Sequence, residues 1–457
     1  MNAVLADLPA LLLFGVVFLA IVYGGERIRR TIPSEPEYSR KFVHFSGGVA
    51  ALFFPTFIGS PWSILLLATG FAGFLLLTRH MGGLRSVHGI QRHSHGALYF
   101  PVAILILFLL ARQHQAFYVI SILALTVSDT MAALVGGWYG AIRYDVEGNA
   151  KSLEGSLAFF FVTYLCVNIP LLLMTETGKG ETILTAFVIA LLVTGFEAVS
   201  LSGSDNIFIP LGTYFILEKM SRYDLATVVQ HTVVLLLLIV VTAILSVRQK
   251  IFGTSGLIGM VLVNYAGWSL CGLDWLVPLL LSQVMLYILV ASFRQHVATG
   301  ITGYQIRVLF YSAIVPVIFI FAASAIRDDR ILYLPYLTAI AGQMAIIFHY
   351  IVSILVTSTG FIGGVRRNRP VSGIFCGVIA TLAIAAIPVL AGPPGHRAVQ
   401  LALVLAGVLG AIGLFQMLSS RFLGSDDNWL IRQRIRCMAA GIAACLVLGV
   451  QLLLFGG

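Results

Sequence analysis

A polar residue followed by a stripe of small residues interrupts the apolar sequence between Ser128 and Gly140. Read as a helix, four positions recur at i, i+3, i+7 and i+11 and fall on one stripe: Asp129, Ala132, Gly136 and Gly140. Because the other three residues have little or no side chain, another helix or a ligand can approach the backbone closely. A carboxylate at such depth costs about 2.5–3.5 kcal/mol on insertion scales, so Asp129 needs a partner or a function. The stripe alone fits a packing seam and a ligand site equally well.

Cationic side chains suited to phosphate binding begin another apolar run. Arg40 and Lys41 precede His44 by four and three residues, so on a helix the three share one face. Two fixed cations beside an imidazole suit a phosphate group. The alternative is that they only anchor a helix end at the membrane surface.

A second cationic element, Lys151-Ser152, opens the apolar run that continues through Gly155. The N-terminus of a helix presents free N–H groups and a partial positive charge, which bind phosphate, and Lys151 adds a point charge. Glu154 either caps the first turn of this helix or contributes to a magnesium site.

Further carboxylates and an amide follow at a predicted membrane edge, where Glu197 precedes Asp205-Asn206. Buried without partners, the three carboxylates of Asp129, Glu197 and Asp205 would together cost roughly 8–10 kcal/mol on the same insertion scale. A shared cation explains them better than separate local caps. We therefore expect Mg²⁺ between Asp129 and Asp205, with Asn206 or Glu154 helping.

The composition shows which elements must position these groups. Of 457 residues, 59% are hydrophobic and 10% are charged, which is far outside the soluble range. Apolar runs long enough to cross a bilayer recur, and alternating strand patterns are absent, so we predict an all-α polytopic transmembrane bundle of roughly 16 spans. The predicted spans are 6–24, 42–58, 61–78, 97–112, 117–137, 156–175, 182–200, 205–217, 226–247, 255–271, 273–292, 308–326, 332–357, 371–391, 398–417 and 437–455.

The net charge of +9 reflects membrane topology and does not indicate a nucleic-acid partner. Lys and Arg favour one set of alternating loops by roughly three to one, which assigns that set to the cytosol. Most unusual polar residues of the first half then share the cytosolic face. We expect a multi-pass protein of the plasma (cytoplasmic) membrane with its active site on that face.

Two domains are predicted from the distribution of these polar groups. Residues 1–247 contain the carboxylates and cations described above, whereas residues 248–457 consist of apolar runs joined by Arg-containing loops. The segment 248–250 marks the boundary. The second domain is an additional multi-span membrane domain to which the sequence assigns no role.

Five motifs in order resemble the polyprenol kinase family, which includes dolichol kinase, phytol kinase and the CTP-dependent diacylglycerol kinase of fungi. The resemblance covers about the first 245 residues. The motifs are Arg40-Lys41-x-x-His44, the segment 96–101, the stripe from Asp129 to Gly140, Lys151-Ser-x-Glu-Gly155, and Glu197 followed by Asp205-Asn206-x-x-x-Pro210. The chain departs from the family in having Asp145 and Glu147, where members usually carry more Lys.

The resemblance implies a lipid-alcohol kinase that uses CTP or another nucleoside triphosphate as phosphoryl donor. It implies that the segment from Asp129 to Gly155 forms the nucleotide site. We expect Asp129, His44 and Asp205 to be catalytic, with His44 or Asp129 as the base. The phosphates and nucleotide would be bound by Arg40, Lys41, Gly136, Gly140, Lys151, Ser152 and Gly155. The lipid alcohol would enter sideways from the surrounding membrane lipid.

Two other function classes make different predictions. A CTP-dependent lipid cytidylyltransferase would release diphosphate, and its Gly-rich His-Gly-Gly element with a following Asp-Arg pair is missing. A secondary transporter would show inverted repeats and polar residues at mid-membrane in both halves, whereas the polar residues here are confined to the first half. Residues 248–457 are also compatible with a transport or scaffold module fused to a kinase.

Overall fold

A computed structural model describes residues 2–32, 36–81, 84, 96–247, 252–297, 306–326, 329–359, 369–391, 396–422 and 429–455. Contacts divide the chain into two compact units, Met1–Val233 and Val234–Gly457. This division falls inside a helix. The boundary predicted at 248–250 lies outside the described residues.

Long helices account for most of the described chain. Through residue 247 they are α1 (Leu8–Thr31), α2 (Pro36–Leu52), α3 (Pro61–His80), α4 (Gly96–Leu110), α5 (Gln115–Tyr139), α6 (Leu153–Met174), α7 (Lys179–Val199), α8 (Asp205–Met220) and α9 (Leu225–Val247). They are followed by α10 (Thr254–Cys271), α11 (Leu273–Val297), α12 (Ile306–Ile326), α13 (Asp329–Thr359), α14 (369–391), α15 (Arg397–Phe422) and α16 (Trp429–Phe455). Short helices at Asn2–Ala6 and Phe54–Phe57 flank α1 and α2.

Each predicted span corresponds to one of these helices, so the all-α membrane prediction is confirmed. Within the described ranges, ten helices are long and apolar enough to cross a membrane, and three apolar helical segments are shorter. The α2 helix is not among the ten, because it has only 17 residues and its first turns are polar. Sixteen crossings are therefore not confirmed.

The first unit packs its core around α5 and α6. Helix α6 contacts both α5 and α7, and α8 packs against α4, α5 and α7. Fully buried Ile120, Leu125, Phe159 and Ile189 belong to one apolar cluster in this unit. The site described below is built on these tightly packed helices.

Two local features of the first unit place polar groups at helix ends. Residues Ala124–Ser128 form a π-helical turn inside α5, directly before Asp129; such turns are frequent at functional sites. Between α5 and α6, strand β1 (Arg143–Val146) pairs antiparallel with β2 (Asn149–Ser152). Glu147 and Gly148 both have positive φ, as a two-residue type I′ hairpin turn requires.

The second unit is organised around α13, whose apolar stretch is mostly buried. This helix contacts α11, α12, α14, α15 and α16. Between α10 and α11, the amides of Asn264 and Gln283 bond reciprocally at 3.0 and 2.8 Å, which satisfies two polar side chains inside an apolar body.

Candidate active site

A polar cavity of about 650 Å³ opens in the first unit between α2, the hairpin and the ends of α5, α6 and α7. Four cationic and four acidic side chains line it. They are Arg40, Lys41, Arg143, Lys151, Glu37, Asp129, Glu197 and Asp205. The remaining lining consists of small or uncharged polar residues, so the cavity is highly charged although the surrounding helices are apolar.

The most deeply buried ion pair joins α2 to α5. Lys41 Nζ lies 2.6 Å from Asp129 Oδ2 and 3.1 Å from the Asp129 carbonyl oxygen. Lys41 is 5% exposed and Asp129 is 8% exposed. Each group compensates the charge of the other, so removing either one leaves a buried charge without its partner.

His44 supports the same carboxylate from one turn further along α2. Its Nε2 lies 3.4 Å from Asp129 Oδ2 and 3.3 Å from the Leu125 carbonyl oxygen, which belongs to the π-helical turn. Both neighbours are hydrogen-bond acceptors, so Nε2 must carry a proton. His44 does not line the cavity. His44 therefore contacts Asp129 from outside the cavity lining.

A second ion pair joins the hairpin to the end of α7. Lys151 Nζ lies 2.8 Å from Glu197 Oε1 and also donates to the Glu197 carbonyl oxygen. Burial lowers the pKa of Lys151, but the Glu197 carboxylate and Asp205 together outweigh burial, and the pKa lies above its ordinary value. Lys151 therefore remains positively charged throughout the physiological pH range.

Arg40 interacts with carboxylates from three different parts of the chain. Its guanidinium binds Glu37 through two hydrogen bonds, Nε to Oε2 at 2.8 Å and Nη2 to Oε1 at 2.7 Å. It also interacts electrostatically with Asp129 and Asp205, and Lys151 interacts with Asp205. The predicted convergence of Asp129 and Asp205 on one cavity is therefore present.

The small-residue stripe is a packing seam as well as part of the cavity wall. A Cβ added at Gly136 would lie 2.8 Å from Ser152 Oγ, and one at Gly155 would lie 3.2 Å from the Gly136 Cα. A Cβ at Gly140 would clash with the Gly136 carbonyl and with Ser152. Ser152 Oγ accepts from the Gly155 N–H at 3.1 Å and caps α6. Gly136, Ser152 and Gly155 line the cavity, whereas Gly140 does not.

Replacing Gly136 with alanine should lower the free energy of unfolding by about 1–3 kcal/mol, because the added methyl overlaps the Ser152 hydroxyl that caps α6. The neighbouring Gly137 provides a matched control, since a Cβ there meets nothing within 4 Å. Thermal unfolding in detergent measures both variants. Equal melting temperatures for the two would show that the seam does not constrain α5 against α6.

Two of the four predicted magnesium ligands point away from the cavity. Asn206 Nδ2 donates to the Gly96 carbonyl at 3.1 Å, which joins α8 to the start of α4. Glu154 Oε1 accepts from the Ile142 N–H at 3.0 Å and holds the hairpin against α6. Asp129 and Asp205 both line the cavity. Neither placement tests metal binding, so the four residues stay predicted ligands.

Within the described chain, no three His, Cys, Asp or Glu side chains are grouped as a metal site. Mg²⁺ in phosphate-transfer sites is typically bound through one or two carboxylates, water and substrate phosphates. The carboxylates of Asp129 and Asp205 therefore fit a magnesium ion that arrives with a phosphate ligand, and they do not form a closed protein cage.

Several lining residues were not predicted from the sequence. Glu37 lies three residues before Arg40, and this i, i+3 spacing of opposite charges was an available signal. Arg143 was included only within the segment from Asp129 to Gly155, without a role of its own. Asn149 on strand β2 and Ser156 in the first turn of α6 also line the cavity.

Comparison with known proteins identifies two relatives that are named as phytol kinases. No protein-family model matches the chain, and no solved structure matches it. A phytol kinase from Synechocystis sp. is 31% identical over 199 residues, which cover 43% of this chain and 85% of the relative. A probable phytol kinase 2, chloroplastic, from Glycine max is 24% identical over 230 residues, covering 46% of this chain and 76% of the relative.

These comparisons bear on location and on family. Because one relative is named as chloroplastic, they do not support the expected plasma-membrane location. The apolar helices show a multi-pass membrane protein and no particular compartment. The identity to the Synechocystis protein and its coverage, together with the five motifs, show that the chain belongs to the polyprenol and phytol kinase family.

Proposed function

We propose that this protein is a membrane-embedded lipid-alcohol kinase that transfers the terminal phosphoryl group of CTP, or of another nucleoside triphosphate, to a polyprenol, phytol-like or diacylglycerol hydroxyl. The observation that supports it best is an open cavity lined by four cations and four carboxylates. Phosphoryl transfer depends on charge neutralisation and positioning more than on covalent chemistry.

The cavity has a suitable size and charge for a nucleotide. Its volume of about 650 Å³ lies within the usual range of small-molecule sites. Lys41, Arg40 and Lys151 would bind the phosphates, and Arg143 extends the positive surface along the hairpin. Charge-assisted bonds from Arg and Lys are the strongest contacts that side chains make to phosphate oxygens.

Phosphate binding would change the partners of the lysines. In the structure Lys41 is bonded to Asp129, and Lys151 is bonded to Glu197. A triphosphate that draws these ammonium groups away leaves the carboxylates available. Asp129 and Asp205 would then hold Mg²⁺, which supplies further positive charge to the phosphates as they react.

The transfer itself would occur beside Asp129. The lipid hydroxyl oxygen forms a bond to the terminal phosphorus, the bond from that phosphorus to the bridging oxygen breaks, and CDP leaves when CTP is the donor. The hydroxyl proton must reach a base. Asp129 lines the cavity, whereas His44 Nε2 already holds a proton against two acceptors. We therefore propose Asp129 as the proton acceptor and His44 as the group that orients it.

The distribution of positive charge along the sequence supports a cytosolic position for this cavity. Arg40, Lys41, Arg143 and Lys151 all belong to the loops and helix ends that are rich in Lys and Arg. Positive residues favour the cytosolic face, where nucleoside triphosphates are available. The proposed nucleotide site would therefore face the compartment that contains the nucleotide.

Product identification tests this proposal. The full chain, purified in detergent, is incubated with magnesium, with CTP, ATP or UTP labelled on the terminal phosphate, and with phytol, a polyprenol or diacylglycerol. We expect a labelled lipid phosphate and an unlabelled nucleoside diphosphate, and loss of transfer after chelation of the metal. Release of diphosphate with a CDP-lipid would overturn the kinase in favour of a cytidylyltransferase. Absence of transfer to every alcohol would also contradict it.

A further inference from the structure

The face of α2 that carries Lys41 and His44 continues along the helix as a contact surface against α5. Positions 41, 44, 48 and 51 recur at i, i+3, i+7 and i+10 and fall on one stripe of this helix. At one end of the stripe, Lys41 and His44 contact Asp129. At the other end, the Tyr118 hydroxyl donates to the Ala51 carbonyl oxygen at 2.8 Å. The two helices are therefore joined by polar contacts at both ends of the stripe.

Gly48 lies between these polar contacts, and the packing there leaves no room for a side chain. A Cβ added at Gly48 would overlap Thr126 Oγ1, and it would lie 2.6 Å from Thr126 Cγ2 and 2.8 Å from Thr126 Cβ. Thr126 belongs to the π-helical turn of α5 and is only 1% exposed. Rotation about its Cα–Cβ bond would move the hydroxyl and the methyl group but would leave the Cβ in place. A side chain at position 48 therefore requires the two backbones to separate.

The contacts of His44 are too long to tolerate such a separation. The distance between the added Cβ and Thr126 Cβ must grow from 2.8 Å to at least 3.4 Å, where ordinary van der Waals contact begins. His44 lies one turn before Gly48 on the same face of α2. Its Nε2 is already 3.3 Å from the Leu125 carbonyl oxygen and 3.4 Å from Asp129 Oδ2, beyond the usual range of N–H···O bonds. A shift of this size would break both contacts.

We propose that Gly48 is a positioning residue for phosphoryl transfer. Its missing side chain lets α2 pack on the π-helical turn at the distance that holds His44 and Lys41 against Asp129. This inference rests on the proposed kinase function, in which Asp129 receives the hydroxyl proton. Gly48 is outside the cavity lining, so it acts through the fit between two helices and not through a substrate contact. A displacement of about 1 Å at a reacting group can reduce the rate about 100-fold.

Gly48→Ala tests this inference, with Gly47→Ala as the matched control. Both variants add one methyl group at adjacent positions of α2, but a Cβ at Gly47 meets its nearest neighbour, Phe100 Cε1, at 3.6 Å, which is an ordinary contact distance. We expect Gly48→Ala to lower kcat for lipid phosphate formation by about 10- to 100-fold, and Gly47→Ala to retain the wild-type kcat. Equal kcat values in the two variants would overturn the inference.

A compensating change at Thr126 separates positioning from a general loss of stability. Thr126→Gly removes all three atoms that the new methyl group would meet. Measured against Thr126→Gly alone, the added change Gly48→Ala should then alter kcat by less than about twofold, because the two substitutions are coupled through one contact. Thr126→Ala keeps the Cβ at 2.8 Å and should restore less activity. If Gly48→Ala lowers kcat equally with Thr126 and with glycine at position 126, the inference is wrong.

Acetylation of Lys41 by acetic anhydride reports the position of α2 without turnover. Lys41 is 5% exposed and is paired with Asp129, so it should react slowly in the wild type. In Gly48→Ala its acetylation, read by peptide mass spectrometry, should rise severalfold, whereas Lys151 in its pair with Glu197 should not change. Equal increases at both lysines would show general loosening and overturn the inference. A wild type that phosphorylates no alcohol, with Lys41 selectively acetylated in Gly48→Ala, would contradict the kinase proposal and leave Gly48 as the residue that positions Lys41.

Discussion

Replacing Asp129 with asparagine should lower kcat for phosphoryl transfer by about three orders of magnitude or more, an effect typical of losing a central electrostatic group. Asparagine has nearly the same shape, but it has no negative charge for Mg²⁺ and accepts the hydroxyl proton poorly. The measurement is the initial rate of lipid phosphate formation at saturating nucleotide. Near-normal turnover would refute the role assigned to Asp129.

Two controls separate chemistry from folding in this experiment. The change leaves Lys41 buried without its charge partner, which costs about 3–5 kcal/mol, so thermal unfolding must be measured alongside the rate. The double variant Lys41→Met, Asp129→Asn removes both charges and should recover stability without recovering activity. Asp145→Asn removes a carboxylate that binds the Gly148 N–H in the hairpin turn, outside the cavity lining. It should retain wild-type kcat.

Replacing Lys151 with methionine should raise the KM for the nucleotide by about 10- to 100-fold, the value of one or two charge-assisted hydrogen bonds. The methionine keeps the length and apolar stem of the side chain but removes the ammonium group that faces the cavity. Nucleotide titration by isothermal calorimetry in detergent gives the same comparison without turnover.

Lys179→Met is the matched control for this change. Lys179 begins α7 on the exposed surface, at the opposite end of that helix from Glu197. Its loss reduces the net charge equally, so it reports any general electrostatic effect on anion binding. A nucleotide affinity that falls equally in both variants would show that Lys151 has no specific contact with the phosphates.

Local sequence patterns account for much of the fold and for part of the site. Apolar runs predict the helices well, because a span must satisfy its backbone internally and contain about 20 apolar residues. Asp129, Asp205, Lys41 and Lys151 were predicted to converge, and all four line one cavity. The distribution of Lys and Arg alone predicted that these four groups lie on the same face of the membrane.

The partners of these groups were not predictable, because they are separated by long stretches of chain. Lys41 and Asp129 are 88 positions apart, and Asn206 is 110 positions from the Gly96 carbonyl it binds. Only tertiary packing decides such contacts. The π-helical turn at Ala124–Ser128, directly before Asp129, was not predicted either.

The three ion pairs along the cavity affect how the site responds to anions at a membrane surface. At rest Lys41, Lys151 and Arg40 are already occupied by Asp129, Glu197 and Glu37. An incoming anion must compete with these built-in carboxylates. A phospholipid headgroup with one negative charge engages few of them, whereas a triphosphate engages several cations together. These ion pairs should therefore disfavour the binding of phospholipid headgroups in the cavity.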